Sequence, residues 1–173
     1  VGVLQGETTA ADLMRTMALA QRTMEMQWPA VTIRMCEGVL QAEPHAALAN
    51  VLKCSALLQQ KETKAADGVL AGLAQSAPDL PSVRMLRAQR MLEAHQYQDV
   101  VTQLQPLESS GSLTVRSYLA KAYERLGQLD QSIALTRQLR AAAPDQVAFA
   151  NDLAYRLAIA SPTDPKALSE IGR

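Results

Sequence analysis

The chain has 173 residues, 48% of them hydrophobic, which is enough for a sizeable buried core in one domain or a short stack of smaller units. Seventeen basic and seventeen acidic residues leave no formal net charge, which argues against binding driven by phosphate neutralisation on a nucleic acid. No apolar run approaches the roughly 18–20 residues that a membrane-crossing helix needs, so direct membrane insertion is not expected.

Along the chain, "VGVLQGE" is Gly-rich and short in apolar content, and predicts an extended lead-in over residues 1–12. The chain starts at Val1 without a basic-then-apolar signal pattern, as an excised segment or processed form of a longer protein would. "TTAAD" then offers Thr8 or Thr9 as an N-cap for a first helix. Trp28-Pro29 marks a turn, with Pro29 suited to the first position of a second helix. Ala and Leu dominate the long Gly-poor stretches that follow, Pro punctuates them, and aromatics are only 3%. This composition reads as helix throughout, and no alternating β-branched run marks a strand.

A period organises these helices. Small residues recur at Ala20, Cys54, Ala88, Ala120 and Ala154, with spacings of 34, 34, 32 and 34. Twelve residues after each of the first four stands another modest side chain: Thr32, Ala66, Val100 and Ser132. Val39, Leu73, Leu107 and Leu139 share a third position, and Pro44, Pro78 and Pro144 close three of the segments. The stretch "LAKAYERLGQLDQSIALTRQLRAAAPD" shows one unit in full. Leu119, Ala120 and Tyr123 form an apolar helix face, and Gly127 ends that helix in the left-handed conformation. Asp130 is the expected N-cap of the return helix, on which Ser132, Leu135, Thr136 and Leu139 face back, and Pro144 stops it. A helical hairpin of this kind cannot bury its own faces and must stack on its neighbours.

The pattern resembles the tetratricopeptide repeat, a 34-residue helix–turn–helix with small residues in both helices and Pro at its end. The match is fullest over residues 113–146, where Ala120, Tyr123, Gly127 and Pro144 agree. Departures are specific. The inner-turn Gly is replaced by Gln27, Lys61 and His95, a family-apolar position holds Lys53 and Arg87, and the early Trp is absent. The third unit is two residues short, with Pro106 cutting its second helix before "ESSGS". The resemblance implies an all-α, right-handed solenoid: an extension at 1–12, then a single array with units at about 13–46, 47–80, 81–112, 113–146 and a partial 147–173.

Nothing in the sequence points to catalysis, a metal or a cofactor. His45 and His95 sit in predicted turns without Cys, Asp or Glu at ligand spacing, and "LESSGS" reads as a flexible connector. Cys36 and Cys54 read as small buried apolar residues rather than a disulfide. Arg84, Arg87 and Arg90 form a stripe whose heads reach Glu93, Asp99 or a neighbouring unit.

Function therefore rests on the groove that the first helices line in tetratricopeptide arrays. Carried over from the family, the groove positions are Met17 and Gln21 in the first unit, beside Met14 and Met24. The second unit places Val51 and Leu52 there, beside Leu48, and the third Met85, Leu86 and Gln89. The fourth turns polar with Tyr118, Lys121 and Arg125, and Asn151 and Tyr155 follow. The Lys, Asn and Arg clamp with which chaperone-binding members hold a terminal carboxylate is missing: its positions are Met17, Gln21, Leu52, Ser82 and Leu86. The apolar, Met-rich half suits adaptable contact with an apolar or amphipathic protein segment. Four anchors at about 2 kcal/mol each correspond to a gross micromolar affinity.

Three alternatives stand side by side. A partner peptide or helix fills the groove, the protein covers it with a second copy or its own "VGVL", or the register is shifted and these residues are core. "NDLAYRLAIASPTDPKAL" is similar to the closing units of arrays in bacterial envelope proteins, which implies a scaffold in secretion or envelope assembly. Cytoplasm and periplasm both remain open.

Overall fold

A computed structural model of the protein describes residues 9–161 together with Thr163 and Ser169. Every regular element among them is helical. In chain order these are α1 (Ala10–Glu25), α2 (Pro29–Ala42), α3 (Ala47–Gln59), α4 (Thr63–Ser76), α5 (Pro81–Glu93), α6 (Tyr97–Leu104), α7 (Leu113–Arg125), α8 (Leu129–Ala142) and α9 (Val147–Ala160). A 3-10 segment, Gln105–Ser110, follows α6. The extended reading of Val1–Glu7, Thr8 as a cap and most of "PTDPKAL" lie outside the described residues. The chain divides into two compact units, Val1–Val83 and Arg84–Arg173.

In the first unit α1 packs on α2, α2 on α3 and α3 on α4. The helices approach closely because their crossing points carry small side chains that are fully buried: Ala20, Thr32, Cys54 and Ala66 are all 0% exposed. Where those side chains are polar, they bond. Thr23 Oγ1 donates to the Ala20 carbonyl at 2.9 Å and lies 2.8 Å from Thr32 Oγ1 on the opposite helix. Cys54 Sγ donates to the Ala66 carbonyl, 3.5 Å away across the hairpin. Both cysteines are buried as free thiols, and desolvation pushes the Cys36 thiol up to about 11, against the opposing pull of Lys53.

The second unit repeats the device. Ser132 Oγ on α8 donates to the Ala120 carbonyl on α7 at 2.7 Å, in the direction opposite to that of Cys54 and Ala66. Ala88, Leu92, Val100, Leu104, Leu119 and Leu135 form its main buried cluster. The short third unit is accommodated by ending α6 at Leu104 and passing into the 3-10 segment, so the expected flexible connector is a wound turn as far as Ser110. Leu104, at 0% exposure, then occupies the interior, while Leu107 is only partly buried against the same cluster.

Helix ends follow local chemistry. Thr9 caps α1 in a full capping box with Asp12. The four inner turns share one Schellman pattern, in which the third residue past the helix bonds back five residues: Trp28 to Thr23, Glu62 to Leu57, Gln96 to Met91 and Gln128 to Tyr123, each at 2.9 Å. That pattern requires a left-handed residue. Gly127 supplies it at φ 75°, yet Gln27, Lys61 and His95 adopt the same region at φ 60°, 62° and 61°. The expected N-cap role of Asp130 is corrected: α8 begins at Leu129, Gln128 is its N-cap, and Asp130 lies in the first turn. After a Schellman turn only one residue separates the left-handed position from the return helix, so Asp130 is already inside it, where its charge complements the helix dipole. The N-terminus of α2 is served from outside instead: the Gln60 side-chain carbonyl accepts from the Ala30 amide at 3.1 Å.

One charged group is deeply buried. Arg156 on α9 is 5% exposed, holding Glu124 of α7 through Nη2 at 2.8 Å and Asp152 through Nη1 at 3.3 Å. Leu153 and Leu157 beside it pack on Ile133 of α8. Arg156 thus ties α9 to α7, while Leu153 and Leu157 pack α9 on α8.

Two outcomes follow for stability. Replacing Gln27 or Lys61 by Gly relieves a left-handed strain and should raise unfolding free energy by about 1 kcal/mol each, whereas Gly127→Ala should lower it by a similar amount. Chemical denaturation checks this, and a loss on Gln27→Gly and Lys61→Gly would contradict it. Glu124→Gln removes the closer partner of a buried guanidinium and should cost about 1–3 kcal/mol, while Asp152→Asn, with its carboxylate 55% exposed, should cost under about 1 kcal/mol. Equal costs in the same measurement would show that burial of the pair is not what matters.

Candidate functional site: the groove between α1 and α3

The groove is built by two helix faces and one helix end. On α1, Met14, Ala18 and Gln21 stand at i, i+4 and i+7, the spacing that aligns side chains along one face. Leu13 and Met17 lie on the core side of that stripe and pack on the buried cluster of Ala20, Cys36, Val39 and Ala49. The first turn of α3 forms the opposite wall with Ala47 and Leu48, and the C-terminal end of α2 closes the floor with Val39 and Glu43. These residues enclose a cavity of about 450 Å3. Met14 is 74% exposed and Leu48 48%, so the wall presents large apolar side chains to solvent without a partner among the described residues.

The sequence-derived residues divide sharply. Met17 and Gln21 line the groove. Leu52 packs on the same cluster as Met17 without lining the cavity. Val51 and Leu86 are each 7% exposed and are core residues of their own units, with almost no surface left to offer. Met85 packs against the second unit's cluster, as does Tyr118, whose phenol is raised above its usual range by burial and then by Glu93. Gln89 donates to Glu93 along α5 at 3.4 Å. Lys121 and Arg125 are exposed on α7, and Asn151 and Tyr155 on α9. The structure therefore brings Met17 and Gln21 together at one surface, and does not gather the other named residues around that cavity.

Several features were missed. Glu43 lines the cavity because the outer turn after α2 folds back on α3, with the Ala46 amide donating to the Glu43 carbonyl at 3.0 Å. The Pro two residues after each second helix marks that turn but not the direction of its side chains. Arg156 was the other omission, and an Arg inside the apolar run "LAYRLAIA" was the available signal. Lys53 answers the question raised by a cation at a family-apolar position. Its Nζ reaches Glu37 on α2 at 2.8 Å, away from the groove.

Among the described residues no three His, Cys, Asp or Glu side chains gather where a metal ion could be held. No described helix is long and apolar enough to cross a membrane. His95 is engaged through Nδ1 with the Tyr97 hydroxyl at 2.9 Å.

Comparison with known proteins agrees with this geometry. The sequence profile of the tetratricopeptide repeat family matches residues 29–90. No curated protein sequence matches the chain. Among solved structures it is similar to MamA from Desulfovibrio magneticus RS-1, with TM-score 0.73 and 14% identity over 96% of this chain and 93% of that one. MamA from AMB-1 aligns with TM-score 0.70 and 14% identity over 95% and 90% of the two chains, and MamA from MSR-1 with TM-score 0.71 and 16% identity over 92% of each. Residues 29–90 carry tetratricopeptide-repeat sequence, and nearly the whole chain has the all-helical fold of these solved structures.

Proposed function

We propose that the chain is a non-catalytic protein-interaction scaffold that holds an apolar or amphipathic segment of a partner protein in the groove between α1 and α3. The observation that carries this reading is the uncovered apolar wall, with Met14 and Leu48 exposed on the two sides of one cavity. A cavity of about 450 Å3 is within the usual range for sites that seat a few side chains. Methionines at positions 14 and 17 give it an adaptable lining. The tetratricopeptide fold supports the same reading, and the similarity of the closing stretch to envelope-protein arrays suggests a module of a larger bacterial assembly.

A second reading, self-association, is favoured by a different observation. The outer face of α9 carries Val147, Tyr155 and Ile159 at 68%, 59% and 48% exposure, aligned at i, i+8 and i+12. Tyr155 would then serve a copy of the same chain rather than orient a polar peptide.

The residues suited to a test are those with exposed surface. Leu86→Asp would bury a charge in the core and report on folding instead. Met14→Asp and Leu48→Asp should each leave unfolding free energy within about 1 kcal/mol of wild type and abolish capture of a groove partner. Tyr155→Asp should leave that capture intact. Light scattering on the same variants separates the readings: an oligomer dissolved by Tyr155→Asp but not by Leu48→Asp would place function on α9.

A further inference from the structure

Resting on the reading of the groove as a docking site, we infer that its occupant is a cationic amphipathic segment, an apolar stretch with a basic side chain at each end. The groove has an uneven charge that its apolar lining conceals. Among the described residues Glu43 is the one ionisable side chain lining the cavity, at its α2 end. The stripe Met14, Ala18, Gln21 continues at i+11 to Glu25, which puts a second carboxylate on the same face at the far end of α1. Both glutamates are exposed, and neither has an ion-pair partner among the described residues.

The nearby cations are directed elsewhere. Arg15 is paired with Asp12 at 3.9 Å, and Arg22, one turn before Glu25 on α1, makes no ion pair with it. On α3, Lys53 is committed to Glu37. Among the described residues the apolar cavity therefore has Glu43 in its lining, Glu25 farther along the same face of α1, and no cation in its lining. From Met14 to Glu25 is eleven residues of helix, or about 16 Å. That spacing matches basic side chains three helical turns apart in a docked helix, or about five residues apart in an extended strand. An acidic occupant would set like charges together at both ends, a cost that discriminates against it.

Three synthetic twelve-residue peptides with blocked termini and one shared Leu/Ala core test this, ending in Lys, Gln or Glu on both sides. Fluorescence anisotropy is measured against wild type, the double variant Glu25→Gln/Glu43→Gln, and Met14→Asp. The Lys-ended peptide should bind most tightly and weaken as salt rises. It should lose about threefold to tenfold in affinity for the double variant, for which the Gln-ended peptide is unchanged. Equal binding of all three peptides, lost in Met14→Asp, would keep the docking groove and overturn the charge inference. Binding of the Lys-ended peptide that survives Met14→Asp would assign it to another acidic surface and overturn the inference too. Failure of every peptide would remove both the inference and the groove reading on which it rests. Self-association dissolved by Met14→Asp in light scattering would make a second copy the occupant, against the proposal.

Discussion

Everything in this structure depends on how closely two helices can approach at a single crossing point in each hairpin. Ala20, Cys54, Ala88 and Ala120 meet Thr32, Ala66, Val100 and Ser132, all between 0% and 1% exposed. A larger side chain at any of them would push the axes apart and open the layer beneath, because interiors packed at crystal-like density have no slack to absorb it. Polar members of the series are tolerated because each finds a bond across the gap. Ser132 reaches the Ala120 carbonyl, Cys54 reaches the Ala66 carbonyl, and Thr23 meets Thr32. An unbonded hydroxyl there would cost about 1–3 kcal/mol. Close approach and polar satisfaction are therefore one constraint, and the rest of each face can be filled by almost any Leu, Val or Met.

That constraint is also why so much of the fold was legible. A residue required to be small appears as a small letter at a fixed interval, and the interval survives even where the surrounding residues change. The inner-turn position was legible in another way. Its glycine is absent three times, yet the backbone adopts the same left-handed turn at Gln27, Lys61 and His95, because the helices on both sides dictate it. Here tertiary packing overrides local preference, and the strain is borne by exposed residues. Asp130 was misread for the converse reason. As a residue type it suits an N-cap, but the Schellman turn before it fixes where the helix starts.

The candidate site was legible only in part, and the division is physical. Family correspondence identifies which helix faces a groove, but exposure at a given position is decided by rotation of that helix and by the size of its neighbours. Val51 and Leu86 stand at groove positions and are nevertheless 7% exposed, while Leu48, one turn before Val51, and Met14 stand in solvent. A repeat unit is 34 letters long, so a rotation of a few tens of degrees changes which of two adjacent apolar letters faces out without disturbing the period. Glu43 was out of reach for a different reason: it belongs to an outer turn, and the turn's path, not a helical period, carries it to the groove.

Charge placement follows from the same geometry and gives the two units different characters. Where a cation falls near the stack it is drawn into an internal pair: Lys53 to Glu37 in the first unit, Arg156 to Glu124 and Asp152 in the second. The buried Arg156 repays its desolvation only through a close partner, Glu124 at 2.8 Å, whereas Lys53 and Glu37 meet at 2.8 Å at the surface. Glu25 and Glu43, by contrast, have no ion-pair partner among the described residues, although the chain as a whole is neutral. In the second unit the basic residue Arg156 is spent on α9 itself, locking acidic groups of α7 and α9 together.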